Sequence, residues 1–260
     1  MAPAIPPFIR AIPLPETLLE KIRTADRQPC SAPVLLDFSA MESAGPDAMV
    51  PAQWLSVQEE ERFCGFTLKK RQNEWFAGRI CAKIALQDFL RCHCPGRTIP
   101  AFPAMMICNS ADGRPFAALR CGEAWPQAPD VSISHSGSLA LALAAETGCG
   151  VDIQKTSDTL IRVKERFCTE QEERLLSGMQ GNGLLQGLAL LWAAKEAAKK
   201  ALSAAGMPGF TDLILRAIDR TDGPESFFIF ERNRRNQIPG EKIRVITAFH
   251  QTSALGICIP

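Results

Sequence analysis

Three charged residues in the second half of the chain have the types and spacing of a metal and phosphate site. Asp152 closes the segment Gly150-Val151-Asp152, and Glu196 and Lys200 lie four residues apart in a later segment. Divalent cations such as Mg²⁺ prefer oxygen ligands, commonly one or two carboxylates completed by water and substrate phosphate. Asp152 and Glu196 could therefore hold such a cation, with the Lys200 ammonium close to the phosphate.

Two kinds of element must position these side chains, a strand for Asp152 and a helix for the other two. Residues 139–145 alternate large and small apolar side chains, and a turn at 146–148 leads to 149–153, which predicts two strands joined by a short turn. Residues 184–202 are rich in Leu, Ala and Lys and contain no Pro, which predicts a helix. Trp192, Glu196 and Lys200 then fall on neighbouring turns of one helix face.

The same residues also have an ordinary structural interpretation. Glu196 and Lys200, at positions i and i+4, could be an exposed helix pair that contributes about 0.2–0.5 kcal/mol. Asp152 could likewise be a solvated residue at the end of a strand. Several segments suited to phosphate binding lie upstream in the chain, and their joint occurrence favours the functional interpretation.

Five segments in this order resemble the 4′-phosphopantetheinyl transferases, specifically the surfactin-synthetase-activating type. The family's two signatures are a Gly-(Val/Ile)-Asp segment and a Trp-x-x-Lys-Glu-(Ala/Ser)-x-x-x-Lys segment, and the chain has both. Three weaker family features precede them. The resemblance covers about residues 55–205 and rests on Glu74-Trp-Phe-Ala-Gly78-Arg79 followed by Lys83, Gly113-Arg114-Pro115, Ser132-Ile-Ser134-His135-Ser136-Gly137, Gly150-Val151-Asp152 and residues 192–200.

The resemblance implies transfer of the phosphopantetheine arm of coenzyme A (CoA) to a serine of an apo acyl, polyketide or peptidyl carrier protein. It implies Mg²⁺ held by Asp152, Glu196 and the pyrophosphate, where the cation neutralises the charge that grows as the phosphorus–oxygen bond breaks. Glu196, directly or through a water, would accept the proton of the serine hydroxyl. Lys200 would support the leaving adenosine 3′,5′-bisphosphate. Lys199 is adjacent, and we favour Lys200 because the family motif places its lysine four residues after the glutamate.

The resemblance also implies a set of CoA contacts in the first half, which carry cationic or hydrogen-bonding side chains. They are Arg71, Arg79, Lys83, Arg114, Ser134 and His135. Arg79 and Lys83, at i and i+4, share a helix face, and Arg114 follows an Asp-Gly turn signal. Arg62 is a possible further contact. The competing interpretations are a solvated helix face for Arg79 and Lys83 and a buried, hydrogen-bonded His135.

One departure from the family pattern concerns the metal site. Members of the surfactin type often carry a second acidic residue two positions after the aspartate, where this chain has Gln154. A neutral amide can bind through its oxygen or orient a water, but it contributes no charge. We therefore expect a two-carboxylate site, in which Asp152→Ala and Glu196→Ala each abolish transfer while Gln154→Ala is mild.

A weak internal similarity and the resemblance together predict an α+β chain of two similar halves. Residues 76–86 match residues 192–202 in their aromatic, small and basic positions, which places Lys83 over Lys199. The resemblance implies that a pseudo-twofold axis relates the halves, with the active site in the cleft between them, and hence a monomer. We place the boundary at the 146–148 turn, which gives an N-terminal half of 1–147 and a C-terminal half of 148–260.

The composition restricts partners and location. The 29 basic and 28 acidic residues give a net charge of +1, which offers no case for nucleic-acid binding. The N-terminus has no basic region followed by a long apolar run, so we expect neither a secretory signal nor a membrane span, and a cytoplasmic protein. The ten cysteines are scattered, which favours reduced thiols. A strand at 227–230 and a charged turn at 231–236 could contact an acidic partner or form a solvated hairpin.

Two alternatives to a transferase remain open at this point. One is a relative of the same fold that binds CoA or a carrier protein without catalysis, and the other is an unrelated α+β interaction protein. The metal residues argue against the first and the ordered segments against the second. The sequence leaves open which carrier protein and pathway are served, and whether the cation is Mg²⁺ or Mn²⁺.

Overall fold

The computed structural model describes residues 5–25, 28–43, 50–111, 113–119, 129–179, 183–203, 206–232 and 242–260. The chain separates into two compact units, one made of Met1–Leu14 with Gln28–Thr147 and the other of Pro15–Arg27 with Gly148–Pro260. The segment Pro15–Arg27 contains helix α1 (Glu16–Ala25). Most of the predicted charged turn at 231–236 lies outside the described residues. Each unit combines helices with one antiparallel sheet, which confirms the predicted α+β class.

The first unit is a six-stranded sheet with one long helix packed against it. The strand order is β1-β2-β6-β5-β4-β3, and helix α3 packs on β6, β5 and β2. Phe76 and Ile80 of α3 are fully buried against small residues such as Ala142 of the sheet. The elements are β1 (Arg10–Ile12), β2 (Val34–Asp37), α2 (Val57–Cys64), α3 (Lys69–His93), β3 (Met105–Asn109), β4 (Pro115–Leu119), β5 (Asp130–Ser136) and β6 (Leu139–Ala145).

The second unit is a five-stranded sheet covered by the helix that the sequence predicts at 184–202. The strand order is β7-β11-β10-β9-β8; α6 packs on β7, β11 and β10, and α1 packs on β10. Leu188 and Leu191 of α6 join Phe228 and Phe230 of the sheet in one core. The elements are β7 (Gly150–Lys155), α4 (Thr159–Arg162), α5 (Glu170–Ser177), α6 (Leu184–Ala201), β8 (Leu213–Arg220), β9 (Ser226–Arg232), β10 (Lys242–His250) and β11 (Ser253–Cys258). Among the helices described, none has the length and apolar character needed to cross a membrane.

The two strands predicted on either side of the 146–148 turn both form, but they do not pair with each other. Strand β6 lies between β2 and β5, whereas β7 is hydrogen-bonded to β11 at the edge of the other sheet. The short turn therefore leads from one compact unit to the next. The alternating pattern of a strand predicts its faces but not its partner, which is why the sequence could not distinguish these arrangements.

The two units have the same order of elements around their sheets. In each, a first strand (β2 or β7) is followed by helices and then by four antiparallel strands, the last of which returns to pair with the first. The tight turns between the last two strands each contain a residue with positive φ, Gly137 at 60° and Gln251 at 53°. These matching turns set a residue-by-residue correspondence between the two sheets.

A fully buried lysine ties the long helix of the first unit to its surroundings. The Lys83 ammonium donates to Glu59 Oε2 at 2.5 Å, to the Trp54 carbonyl at 2.8 Å and to the Phe102 carbonyl at 3.0 Å. The other carboxylate oxygen of Glu59 accepts the Ile107 N–H at 3.0 Å. Burial lowers the pKa of Lys83, and the charge of Glu59 opposes that shift.

The second unit repeats this arrangement with equivalent partners. The Lys195 ammonium lies 2.7 Å from Glu172 Oε1 and donates to the Phe167 and Phe210 carbonyls at 2.7 and 3.2 Å. Glu172 Oε1 also accepts the Leu215 N–H at 2.8 Å. Burial again lowers the pKa of the lysine, opposed by the glutamate. Both buried charges are thus paired and hydrogen-bonded, as buried charges must be.

Both buried glutamates also lie in the first turn of a helix and help to cap it. Glu59 forms a capping box with Ser56 at the start of α2, and Glu172 forms one with Thr169 at the start of α5. In a capping box the cap and the third helical residue satisfy each other's backbone N–H groups. One carboxylate in each unit therefore connects a helix start, the long helix and the next strand.

The buried lysines correct the register of the internal similarity. Lys83 shares its set of partners with Lys195, not with Lys199 as the sequence comparison placed it. The difference of four residues is about one helical turn. Alanine-rich helices repeat similar residue types from turn to turn, so composition alone could not fix the register.

Candidate functional site

Two glycines allow the helix α6 to lie directly on the strands that carry Asp152. A Cβ atom on Gly150 would lie 1.8 Å from the Ala197 carbonyl oxygen, and one on Gly256 would lie 2.4 Å from the Ala193 carbonyl oxygen. Gly256 is the partner of Asp152 in the β7–β11 ladder. Since side chains two apart on a strand share a face, Asp152 projects on the same side as Gly150, toward α6.

Asp152 is paired with a lysine from α6. The Lys200 ammonium donates to Asp152 Oδ1 at 2.8 Å and to the Val151 carbonyl at 2.8 Å. The side chain of Asp152 is 9% exposed and that of Lys200 is 26% exposed. The pair therefore lies at the edge of the core, open enough on the lysine side for a ligand to reach it.

Glu196 lies one turn before Lys200 on the same helix and forms an ion pair with Lys199. Lys199 Nζ is 2.7 Å from Glu196 Oε1, and the Glu196 side chain is 23% exposed. The Lys199 ammonium also lies 4.0 Å from the centre of the Phe210 ring. The ring centres of Trp192 and Phe210 are 4.8 Å apart, so the aromatic residue of the motif packs against the ring that Lys199 contacts.

The donor set fits a hard divalent cation such as Mg²⁺. Asp152 and Glu196 supply one carboxylate each, and Gln154 lies on the same face of β7 as Asp152. Across the described ranges no group of three or more His, Cys, Asp and Glu residues is clustered for metal binding. Two carboxylates completed by water and phosphate match the usual coordination of Mg²⁺.

The first unit has apolar residues where the second has its two carboxylates. Val34 pairs with the fourth residue of β6, and Asp152 pairs with the fourth residue of β11. Ile84 follows the buried Lys83 as Glu196 follows the buried Lys195. The described residues of the two units therefore share a scaffold, but only the second unit carries this oxygen donor pair.

The first unit instead contains a cavity of about 250 Å³ with a cationic and aromatic lining. It is bounded by the start of α3, the β3–β4 turn and strand β5. Its cationic or titratable basic lining residues are Arg62, Arg71, Arg79 and His135, its aromatic ones are Phe66 and Trp75, and its acidic one is Glu74. Such a combination suits a ligand that carries both phosphate and a planar ring system.

Arg79 is the most deeply buried cation of this cavity. Its Nη2 donates to Asn109 Oδ1 at 2.7 Å, its Nε lies 3.9 Å from Glu59 Oε1, and its guanidinium carbon lies 4.7 Å from the Trp75 ring centre. Burial lowers the pKa of Arg79 to about 10, with the charge of Glu59 acting in the opposite direction. The guanidinium therefore remains protonated at neutral pH.

Two buried N–H groups of the cavity residues have no hydrogen-bond partner among the described residues. They are Arg79 Nε and Trp75 Nε1. Buried polar groups in folded proteins are nearly always hydrogen-bonded, so each such exception needs an explanation. A bound anion or another oxygen-rich ligand would supply the missing acceptors.

Three of the six predicted CoA contacts line this cavity. Arg71, Arg79 and His135 do so, and His135 is exposed rather than buried as its structural alternative required. Ser134 is buried and alternates to the face of β5 opposite His135. Trp75 lies in the motif segment that begins at Glu74, although it was not singled out as a contact, whereas Asn109 was not predicted because nothing in its local sequence distinguishes it from a turn residue.

The other two predicted contacts are engaged elsewhere. All three N–H groups of the Lys83 ammonium are used inside the core, which removes Lys83 from the CoA-contacting set. Its spacing from Arg79 suggested a shared charged face, but partners from three distant segments surround it. Arg114 forms a two-point ion pair with Asp130 across the neighbouring strands.

Comparison with known proteins finds two family models that match the chain. A family model described as the 4′-phosphopantetheinyl transferase superfamily matches residues 148–255, and one described as the 4′-phosphopantetheinyl transferase N-terminal domain matches residues 59–145. Among solved structures, the holo-[acyl-carrier-protein] synthase of Thermotoga maritima is similar at 20% identity over 53% of this chain and 73% of that chain, with a TM-score of 0.34. No curated protein sequence matches the chain significantly.

Proposed function

Because the chain belongs to the 4′-phosphopantetheinyl transferase superfamily, we propose that it moves the phosphopantetheine arm of CoA onto a serine of apo acyl, polyketide or peptidyl carrier proteins. The products are a holo carrier protein and adenosine 3′,5′-bisphosphate. The observation that carries this proposal is the contact of Asp152 with the charged row of α6, where Glu196 and Lys200 lie one turn apart.

Asp152 and Glu196 are the proposed ligands of Mg²⁺. When bound there, the cation supplies charge neutralisation to the pyrophosphate of CoA as the phosphorus–oxygen bond breaks. Lys200 and Lys199, which each pair with one of these carboxylates, balance their charges before ligands arrive. Gln154 contributes a neutral oxygen or orients a water, which is why its removal is expected to be mild.

Glu196 is also the proposed general base for the carrier serine. Its carboxylate is partly exposed, so a hydroxyl can approach it directly or through one water. The bond from Lys199 holds one of its oxygens and leaves the other available to accept a proton. Removal of the serine proton at this oxygen lets the serine attack the β-phosphorus of CoA.

Lys200 is the proposed contact for the leaving nucleotide. Its ammonium is held at the strand by Asp152 and the Val151 carbonyl. Three donors on a compact charge allow one of them to turn to a phosphate oxygen while another keeps the bond to Asp152. Charge that develops on the leaving bisphosphate is then stabilised without any movement of the helix.

The cavity of the first unit is the proposed site for the nucleotide end of CoA. Arg71, Arg79 and His135 supply cationic or hydrogen-bonding groups, and Trp75 supplies a ring for stacking. The N–H groups of Arg79 and Trp75 that lack partners support an oxygen-rich ligand there. Contacts from Arg114 and Ser134 remain predictions.

Two finer expectations accompany the proposal. A monomer is tested by light scattering of the purified chain, for which a single species of 28.4 kDa is expected. A cytoplasmic location is tested by fractionation of cells that produce the chain at native level.

The deciding experiment is intact-mass analysis of several apo carrier proteins after incubation with the chain, CoA and Mg²⁺. A gain of one phosphopantetheine arm is expected, and Glu196→Ala should abolish it. Glu170→Ala is the matched control, because Glu170 is a 91% exposed glutamate on the neighbouring helix α5. Binding of CoA without any mass gain on any carrier would instead favour the non-catalytic relative.

A further inference from the structure

We propose that Asn109 is a positioning residue for CoA binding, because it directs the Arg79 guanidinium to the cavity and away from Glu59. This inference rests on the proposed function of the cavity. Asn109 belongs to none of the five segments on which the family resemblance rests.

The amide of Asn109 is held at both ends. Its Oδ1 accepts from Arg79 Nη2 at 2.7 Å, and its Nδ2 donates to the Gly113 carbonyl at 2.8 Å. Gly113, with φ of 85°, lies in the turn that joins β3 to β4. The reversed amide would present an N–H group to a guanidinium, which has only donors. The hydrogen-bond network therefore fixes which end of the amide faces Arg79.

Glu59 is the alternative partner for the same guanidinium. It lies 3.9 Å from Arg79 Nε, beyond hydrogen-bonding distance, while its oxygens are bonded to Lys83 and to the Ile107 N–H. Ile107 and Asn109 are two residues apart on β3, so strand β3 carries the anchors of both Glu59 and Arg79. A small rotation of Arg79 would convert the 3.9 Å approach into a direct ion pair.

Asn109 prevents that collapse without cancelling the charge of Arg79. Burial of a cation is unfavourable unless it is paired, so a guanidinium freed from Asn109 would move toward Glu59, the carboxylate that already lies 3.9 Å from its Nε. Its charge would then be partly compensated inside the fold by a carboxylate that also pairs with Lys83. A neutral amide holds the group in place and leaves its charge for a phosphate.

Two substitutions of Asn109 separate positioning of Arg79 from simple structural support. Asn109→Asp keeps an oxygen for Arg79 and strengthens that bond, but it loses the donor to the Gly113 carbonyl, so its stability is measured beside its affinity. The new carboxylate would nevertheless compensate the guanidinium charge and repel an anion. Asn109→Ala removes the bond altogether and allows Arg79 to turn to Glu59.

The test is calorimetric titration of CoA, and separately of adenosine 3′,5′-bisphosphate, into the wild type, Asn109→Ala, Asn109→Asp, Arg79→Ala and the double variant Arg79→Ala with Asn109→Ala. We expect each Asn109 variant to bind both ligands about tenfold more weakly than the wild type, a coupling typical of residues in one network. On the Arg79→Ala background the loss of Asn109 should change the affinity by less than about twofold. Circular dichroism and thermal unfolding establish that each variant is folded.

Three other outcomes of the titrations would each contradict one claim made above. Wild-type affinity in Asn109→Asp would show that the charge of Arg79 is not what Asn109 preserves. Equal losses in the presence and absence of Arg79 would show that Asn109 contacts the ligand by itself. Failure of the wild type to bind either ligand would overturn the proposed function of the cavity and this inference with it.

Discussion

Replacement of Gly150 by alanine tests whether the close packing of α6 on β7 creates the active geometry. The added Cβ atom would lie 1.8 Å from the carbonyl oxygen of Ala197, a backbone atom about one turn before the end of α6. Ordinary contacts between a carbon and a carbonyl oxygen begin at about 3.3 Å. The helix would therefore have to retreat by about 1.5 Å.

That retreat is large on the scale of the site. The bond from Lys200 Nζ to Asp152 Oδ1 is 2.8 Å long, and a displacement of this size would stretch it beyond hydrogen-bonding distance. Overpacking of a core typically costs about 1–3 kcal/mol, which most domains survive. Misplacement of catalytic groups by about 1 Å can lower activity roughly 100-fold. Activity should thus fall far more than stability.

The assay is kcat/KM for conversion of apo to holo carrier protein, measured beside the free energy of unfolding in denaturant. We expect Gly150→Ala to be folded and to lose at least about 100-fold in kcat/KM. Gly183→Ala is the matched control, because a Cβ at Gly183 meets nothing within 4 Å, and it should keep nearly full activity. Comparable activity in the two variants would refute the claim that the glycine contact positions Asp152.

Three further predictions concern the charges and thiols of the fold. Glu172→Gln leaves the buried Lys195 without its counter-charge and should lower the free energy of unfolding by about 3–5 kcal/mol. The control Glu170→Gln removes an exposed ion pair and should change that free energy by less than about 1 kcal/mol. Equal effects of the two substitutions in urea titrations would contradict this expectation. Burial raises the pKa of Cys258 to about 12 from 9.0. The thiol of the unfolded chain therefore ionises at lower pH than that of the folded chain. Between pH 9 and 12 the free energy of unfolding should fall by about 1.4 kcal/mol per pH unit relative to Cys258→Ala. Denaturation followed by tryptophan fluorescence measures this slope without interference from tyrosine, since the chain has none, and parallel curves would refute it. If Arg114 contacts CoA as predicted, Asp130→Asn removes its present partner and should strengthen CoA binding in titration calorimetry, while unchanged or weaker binding would remove Arg114 from the contact set.

Elements and chemistry with a local signal were predictable from the sequence. The helix α6 was predicted to within one residue, because an uninterrupted run of helix-forming residues needs no distant partner. Asp152 was placed on a strand for the similar reason that alternation is a local pattern. The ordered motifs gave the family, which the matching family models confirm.

Features that depend on distant segments could not be predicted in this way. Lys83 looked like the partner of Arg79 on a charged helix face, but its surroundings come from residues 54, 59 and 102, which no helical pattern encodes. The pairing of β7 with β11 joins segments about a hundred residues apart in sequence. The contact between Asn109 and Arg79 likewise exists only once β3 has packed beside α3.

The placement of helix α1 has a consequence for synthesis of the chain on the ribosome. This helix is made before every other helix described, yet it belongs to the same unit as Gly148–Pro260, and it packs on β10, one of the last strands to emerge. Its apolar residues Leu18 and Ile22 are buried in the final fold. Because translation proceeds at about 5–20 residues per second, many seconds pass between synthesis of α1 and synthesis of β10. The apolar face of α1 therefore stays without its final packing partner until β10 has been made.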